Sequence, residues 1–227
     1  MQLYIGNKNY SSWSMRPWVL LKQAGIPFDE VMVRFDTLTP GSNFKTAITR
    51  INPAGRVPVL VDEGFAVWDT LAIAEYLAEK FPQAALWPAD IRARARARSV
   101  CAEMHAGFGA LRDAFPMNIE ASMPEIGPRV LREQPVVQAD LQRIVQMWTE
   151  LLDASGGPLL FGRFSIADAT FAPVTTRFTT YGVPVPPVIA AYMERVKALP
   201  GVAAWITGAL AETDFVQFDE PYRQART

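Results

Sequence analysis

The pattern of apolar and polar positions changes character after residue 81. Before that point, short strand-like runs alternate with amphipathic segments, whereas the rest of the chain shows the three- and four-residue spacing of helices. The elements predicted for the first part are, in order, strand 2–5, helix 16–25, strand 28–35, helix 43–50, a hairpin over 57–68 and helix 69–81. This order requires a mixed sheet, with parallel crossover pairs and one antiparallel hairpin, covered by helices.

A proline-punctuated connector follows this α/β region, and we place the linker at residues 82–89. We therefore predict an α/β domain over 1–81 and an all-helical domain over 90–227. The helices predicted for the second domain are 91–115, 135–154, 165–181, 186–199 and 201–212. No internal repeat is present in the sequence.

Composition and charge narrow the function classes. A net charge of −1 over 227 residues gives no reason to expect a nucleic acid or a membrane as partner. The arginines that alternate from Arg92 to Arg98 fall on two opposite helix stripes and form no single basic face. One cysteine, Cys101, allows no internal disulfide, and we see no secretory leader and no bilayer-length apolar run. These features predict a soluble cytoplasmic protein.

The dipeptide Val57-Pro58 opens an apolar run that reads as a strand. Proline cannot donate a ladder hydrogen bond, so its position marks an edge of the sheet. A cis Val57-Pro58 bond turns the backbone of Val57 outward, where its N–H and C=O can pair with an extended peptide-like ligand. The alternative, a trans proline at the first residue of an edge strand, stays open.

Asp69 and Thr70 stand where a predicted strand ends and helix 69–81 begins. Unpaired N–H groups and the positive end of the helix dipole attract carboxylates to such a place. Thr70 offers an N–H and a hydroxyl to a ligand carboxylate, and Asp69 suits a ligand ammonium group. The alternative is that Asp69 is an ordinary N-cap.

Three serines, Ser11, Ser12 and Ser14, gather between the first predicted strand and the first predicted helix. A hydroxyl at a helix start donates to an anion held there, and the helix dipole favours negative charge at the same point. A thiolate is such an anion: a free thiol has a pKa of about 8.5, and each unit by which a site lowers it takes about 1.4 kcal/mol. The alternative is helix capping, which at least one of the three serines must perform.

Four spaced motifs, "SSWSMRPW", "NPAGRVPVL", "VWDTLAIAEYLAEKFP" and "GRFSIADATFAP", resemble the cytosolic glutathione S-transferases and cover nearly the whole chain in order. The serine loop is most similar to the zeta-like and related bacterial branch. The resemblance implies a thioredoxin-like N-terminal domain, an all-helical C-terminal domain, a homodimer, and glutathione as the co-substrate. The implied reaction is attack of the glutathione thiolate on a small apolar electrophile.

The resemblance also implies roles for individual residues. Ser11 is expected to donate to the thiolate, with Ser12 and Ser14 as rivals. The glutathione-binding residues implied are Ser11, Asn43 for the glycyl end, Val57 beside Pro58 for the cysteinyl group, and Asp69 with Thr70 for the γ-glutamyl end.

This sequence departs from the zeta-like pattern at two places. Trp13 stands where that branch commonly has a cysteine, and Asp69-Thr70 replaces the more frequent Glu/Gln-Ser. Two alternatives therefore remain: a protein that binds glutathione or apolar ligands without turnover, and a glutathione-dependent isomerase of the maleylacetoacetate type. Thiol oxidoreduction through a protein cysteine is disfavoured, because the serine loop has no cysteine and Cys101 is expected to be a packed thiol.

The first helix of the second domain carries a stripe at three- and four-residue spacing. We expect Trp13 and four residues of this stripe to line the electrophile pocket: His105, Phe108, Arg112 and Phe115. The alternative is that the stripe is interface core; Met117 could belong to the same wall. His105 is the single histidine and has no partner at ligand spacing, so no metal site is predicted. Ser165 and Asp168 predict a capping box that stabilises the fold.

Overall fold

The computed structural model describes residues 1–226 and contains one four-stranded mixed sheet. The strands are β1 (Gln2–Ile5), β2 (Asp29–Met32), β3 (Val59–Asp62) and β4 (Phe65–Trp68), in the order β2-β1-β3-β4. β1 and β2 are parallel, with Gln2 opposite Asp29, while β1–β3 and β3–β4 are antiparallel. The predicted fold class, a thioredoxin-like mixed sheet followed by helices, is confirmed.

Both faces of the sheet are covered, because side chains alternate along each strand. The helices of this part are α1 (Ser12–Gln23), α2 (Asn43–Thr49) and α3 (Thr70–Lys80). Leu3 and Ile5 belong to the core that includes α1 and α3. Tyr4 packs with Val59 and Phe44 in a smaller cluster that includes α2.

Seven helices follow: α4 (Ile91–Ala106), α5 (Gly109–Ala114), α6 (Ile126–Glu133), α7 (Pro135–Ser155), α8 (Ile166–Thr180), α9 (Pro187–Ala198) and α10 (Pro200–Leu210). Among residues 1–226, no helix has both the length and the apolar content needed to cross a membrane. The division of the chain at residues 82–89 stays a prediction. Thr227, which closes the predicted helical domain, lies outside the described residues.

Two predicted helices have the wrong bounds, and one further helix was missed. The helix expected over 91–115 is broken after Ala106, where Gly107 is extended and Phe108 takes a left-handed conformation with φ of 57°. Helix α6 was not predicted at all, because Gly127 and Pro128 lie in its first turn. Helix α1 begins at Ser12, four residues earlier than expected, and Pro17 therefore lies inside it.

Helix α8 runs through the middle of the helical part and is almost entirely buried. Its N-terminus carries the predicted capping box, in which Asp168 Oδ2 accepts the Ser165 N–H at 3.0 Å. The other oxygen, Oδ1, accepts the Leu160 N–H at 3.1 Å. Burial raises the pKa of Asp168 to about 6, although these hydrogen bonds oppose the change. These bonds fix the start of α8 to the segment before it, and the helix packs against α1.

Candidate active site

The serine loop connects β1 to α1 and gives its three hydroxyls different surroundings. The Ser11 N–H donates to the Asn7 carbonyl at 2.8 Å, and the Ser11 hydroxyl donates to Ser14 Oγ at 2.7 Å. Ser14 is fully buried, and its Oγ also accepts the Gly6 N–H at 3.1 Å. Ser14 therefore ties the end of β1 to α1, whereas Ser11 and Ser12 line an open cavity.

Two neighbouring cavities run between the sheet and the helical part. The serine cavity, of about 580 Å³, contains both Ser11 and Ser12. The α3 cavity, of about 510 Å³, contains the N-terminus of α3. Residues that line both are Trp13, Arg56, Val57 and Arg112. A single extended ligand can therefore reach from the serines to α3.

A buried arginine stands beside the serines. Arg177, from α8, donates from Nη2 to Ser12 Oγ at 3.0 Å and from Nη1 to the carbonyls of Arg112 and Phe115. Burial lowers the pKa of Arg177 to about 10, so the side chain remains a cation at neutral pH. The serine cavity thus has a fixed positive charge next to its hydroxyls.

Trp13 lies at the junction of the two cavities with cations around its ring. The guanidinium of Arg16 is 4.0 Å from the ring centroid and that of Arg112 is 5.6 Å from it. The His105 ring meets Trp13 edge-on at 5.2 Å. Arg16 is buried; its Nε donates to the Thr170 carbonyl at 2.9 Å, and its Nη1 has no hydrogen-bond partner among residues 1–226. Burial lowers the pKa of Arg16 to about 9.

The start of α3 brings Asp69 and Thr70 into the α3 cavity. Asp69 is the N-cap: its Oδ1 accepts the Leu71 N–H at 2.8 Å, and its φ is 76°. The second oxygen, Oδ2, is 3.3 Å from His105 Nε2 of α4. Asp69 thus caps the helix and still presents one oxygen to the cavity.

The Val57-Pro58 bond is cis, which is one of the two states left open by the sequence. Val57 lines both cavities. Within the described residues, its backbone N–H and C=O make no hydrogen bond. The expected sheet edge is wrong, because β3 pairs with β1 on one side and β4 on the other. Val57 lies just before β3, and its unpaired backbone is available to a peptide-like ligand.

Three expected site residues lie outside both cavities. Asn43 is exposed at the start of α2, where its N–H donates to Asp36 Oδ2 at 2.8 Å. Phe108 is buried, because the break after α4 turns its side chain into the core, and Phe115 packs on Tyr181 at 5.2 Å. The two phenylalanines belong to the hydrophobic core, and the expected roles of all three residues in a ligand site stay predictions. His105, Arg112 and Trp13 do line the cavities, and so does Met117.

Several lining residues were missed. Lys45, two residues after Asn43, lines the serine cavity and donates to the Gly55 carbonyl at 2.7 Å. Arg177 could have been found from the sequence, because it is a charged residue within the largely apolar segment that forms α8. The turn Gln217–Asp219 brings Phe218 and Asp219 to the serine cavity. The sequence near the end of the chain has no periodicity from which this turn could be predicted. Burial raises the pKa of Asp219 to about 6, against the opposing effect of Arg177.

The chain also matches known proteins. The glutathione S-transferase N-terminal domain matches residues 10–80, and the glutathione S-transferase C-terminal domain matches residues 130–208. A glutathione S-transferase theta-1 of Mus musculus is 31% identical over 196 residues, which cover 81% of this chain and 78% of the relative. The chain belongs to the glutathione S-transferase family. The predicted family, and with it the prediction of an enzyme family, is confirmed.

Two further relatives bear on the site. A maleylacetoacetate isomerase of Pseudomonas aeruginosa is 36% identical over 120 residues, or 52% of this chain and 55% of the relative, so the aligned part spans about half of that protein. A glutathione transferase homologue from Burkholderia gl BGR1, solved with bound glutathione, is 29% identical. Its TM-score is 0.68, and the match covers 93% of this chain and 98% of that one.

Proposed function

We propose that this protein is a glutathione transferase that stabilises the glutathione thiolate and directs it at a small apolar electrophile. The observation that carries the proposal is the placement of Ser11 at the start of α1, on the wall of a cavity that continues to α3. Burkholderia glutathione transferase, the 29% identical homologue, holds glutathione in its own structure, which supports glutathione as the ligand here.

The two cavities fit the three parts of glutathione. The free backbone of Val57 is suited to the cysteinyl group, and Thr70 with the N–H groups of α3 to the γ-glutamyl carboxylate. Asp69 Oδ2 is suited to the γ-glutamyl ammonium group. Lys45, in place of Asn43, is suited to the glycyl carboxylate. These roles involve no metal ion, and among residues 1–226 no group of three potential ligands is placed to hold one.

Ser11 is the proposed thiolate donor. Its hydroxyl donates to Ser14 Oγ at 2.7 Å in the free protein, and rotation to an anionic sulfur exchanges that bond for a stronger, charge-assisted one. Ser14 keeps the Gly6 N–H after the rotation. Ser12 is the competing donor, because it accepts from Arg177 and retains its own proton. The Arg177 charge and the α1 dipole favour the thiolate whichever serine donates.

Steady-state kinetics with 1-chloro-2,4-dinitrobenzene test the proposal. Ser11→Ala is expected to lower kcat/KM about 100-fold, the usual effect of removing one donor to a developing anion, while retention on immobilised glutathione persists. Ser99→Ala, on the exposed side of α4, is the matched control and should match the wild type. Unchanged turnover of Ser11→Ala, or loss confined to Ser12→Ala, would move the assignment.

A second candidate is glutathione-dependent isomerisation, favoured by the Pseudomonas aeruginosa maleylacetoacetate isomerase and by the cations that line the serine cavity. Isomerisation of maleylacetoacetate without conjugation of aryl halides would select it. Retention on glutathione with neither activity would instead indicate a binding protein. The homodimer is predicted from the family resemblance and the cytoplasmic location from composition and charge, and both stay predictions.

A further inference from the structure

The segment that follows α10, residues 212–223, returns to the N-terminal part of the chain, and we call it the C-terminal strap. Its first residue, Glu212, accepts the Lys8 N–H at 2.7 Å and the Asn9 N–H at 3.1 Å. Both hydrogen bonds are donated by backbone N–H groups of the loop that leads into the active-site serines. The strap is therefore fixed at its beginning to the same loop that carries Ser11.

The other end of the strap is fixed by Glu220, a carboxylate that is only 3% exposed. It accepts from the Tyr10 hydroxyl at 2.7 Å, from Asn118 Nδ2 at 2.8 Å and from Arg223 Nη2 at 2.8 Å. The short turn Gln217–Asp219 between the two anchors is thus held in one position against the serine cavity.

The turn presents one apolar and one acidic side chain to that cavity. Phe218 is 45% exposed, and its ring lies 6.0 Å from that of Phe35. Asp219 lines the serine cavity together with Ser11 and Arg177. An electrophile that approaches a sulfur held at Ser11 therefore meets both strap residues.

Asp219 and Asp113 are the two carboxylates that line the serine cavity, which also contains the cations Lys45, Arg56, Arg112 and Arg177. All hydrogen bonds of the Arg177 guanidinium go to neutral oxygens, and within residues 1–226 it forms no salt bridge. Burial lowers the pKa of Arg177, whereas Asp219 raises it, and Asp113 raises it to a smaller extent. Both carboxylates share the cavity with Arg177, and Asp219 has the larger effect on the pKa of that guanidinium.

We infer that Asp219 is a specificity-determining residue, whose carboxylate opposes the entry of negatively charged electrophiles into the serine cavity and favours uncharged ones. The inference rests on the proposed transferase function, because it concerns the co-substrate of that site. An anion that enters is attracted by the cations of the cavity, Arg177 among them, and repelled by Asp219 and Asp113. Without the Asp219 charge, one of these two repulsions is removed.

The test uses two closely related electrophiles, 4-chloro-3,5-dinitrobenzoate, which is an anion, and its methyl ester, which is uncharged. With Asp219→Asn, the ratio of kcat/KM for the acid to kcat/KM for the ester is expected to rise about tenfold, as removal of one charge from a partly buried site implies. Asp113→Asn removes a charge from the same cavity and is the matched control. It should raise the ratio about threefold or less.

An unchanged ratio in Asp219→Asn, or an equal rise in Asp113→Asn, would overturn the inference. A binding measurement separates this result from failure of the proposed function. Calorimetric titration of 3,5-dinitrobenzoate, with S-methylglutathione present, should give an about tenfold lower Kd for Asp219→Asn than for the wild type. If the wild type turned over neither halide, the transferase proposal would fail, and the ratio of the two Kd values would still decide the role of Asp219.

Discussion

Ser14 is expected to stabilise the serine loop, whereas Ser11 is expected to contact the thiolate. Replacement of Ser14 by alanine should therefore lower stability more than turnover. The Ser14 hydroxyl is fully buried and accepts both the Gly6 N–H at 3.1 Å and the Ser11 hydroxyl at 2.7 Å. Ser14→Ala leaves the Gly6 N–H without a partner.

The expected loss of stability follows from that single unpaired donor. A buried donor left unsatisfied costs about 1–3 kcal/mol, and the change from serine to alanine opens almost no cavity. We therefore expect the free energy of unfolding of Ser14→Ala to fall by about 2 kcal/mol, or the Tm by about 4–8 °C for a chain of this size. Ser11 keeps its position at the cavity wall, so Ser14→Ala should keep at least about a tenth of the wild-type turnover.

Urea unfolding followed by tryptophan fluorescence measures the first effect, and Trp148 and Trp205 are fully buried reporters. The control is Ser99→Ala, whose exposed hydroxyl only donates back to Ala95 of its own helix and whose loss should cost less than about 0.5 kcal/mol. If Ser14→Ala were as stable as the wild type, the hydrogen bond from the Gly6 N–H to Ser14 Oγ would not contribute to stability, which would refute the expectation. If it were stable but inactive, Ser14 would be the catalytic serine.

Three further predictions test other parts of the account. Because burial raises the pKa of Asp168 to about 6 from 3.8, the folded chain holds this proton more tightly than the unfolded chain. This contribution to stability is present below pH 4 and is lost as the pH rises through 6. From pH 4 to pH 7 the free energy of unfolding of the wild type should therefore fall by about 3 kcal/mol relative to that of Asp168→Asn. A difference that stays constant with pH in urea unfolding would contradict this. Thr70→Val should raise the Kd for glutathione, measured by calorimetry, about tenfold, because the start of α3 loses a hydroxyl donor. The control Thr46→Val, at an exposed position, should leave the Kd unchanged. Equal Kd values for Thr70→Val and the wild type would show that Thr70 does not bind glutathione. The Cys101 thiol is buried and its pKa is raised to about 12, so Ellman's reagent should modify it only after unfolding; rapid reaction in the native protein would refute that burial.

The mixed sheet and most helices could be predicted from the sequence because each carries a local signal. The apolar run Leu3, Tyr4 and Ile5 marks a strand covered on both faces, and Asp62-Glu63-Gly64 marks a hairpin. The break between α4 and α5 could not be predicted in this way. It depends on the left-handed conformation of Phe108, which a bulky residue rarely adopts.

The candidate site was predictable where chain order and chemistry coincide. Ser11, Val57 and Asp69 each follow or precede a regular element, and the sheet brings such ends together. Helical spacing alone could not place Phe108 and Phe115, because one stripe of a helix can face either a cavity or a core; both side chains are buried. The C-terminal strap was missed, because its position depends on single long-range hydrogen bonds that no local pattern encodes.

The central claim is that the Ser11 hydroxyl stabilises the glutathione thiolate at the start of α1. Titration of the thiolate ultraviolet absorbance of glutathione bound to the wild type, with free glutathione as the reference, tests it most directly. The pKa of the bound thiol should lie about one to two units below its free value of about 8.5, and Ser11→Ala should bring it back to within about half a unit of that value. A bound thiol pKa that stays low in Ser11→Ala, or returns to the free value only in Ser12→Ala, would contradict the claim.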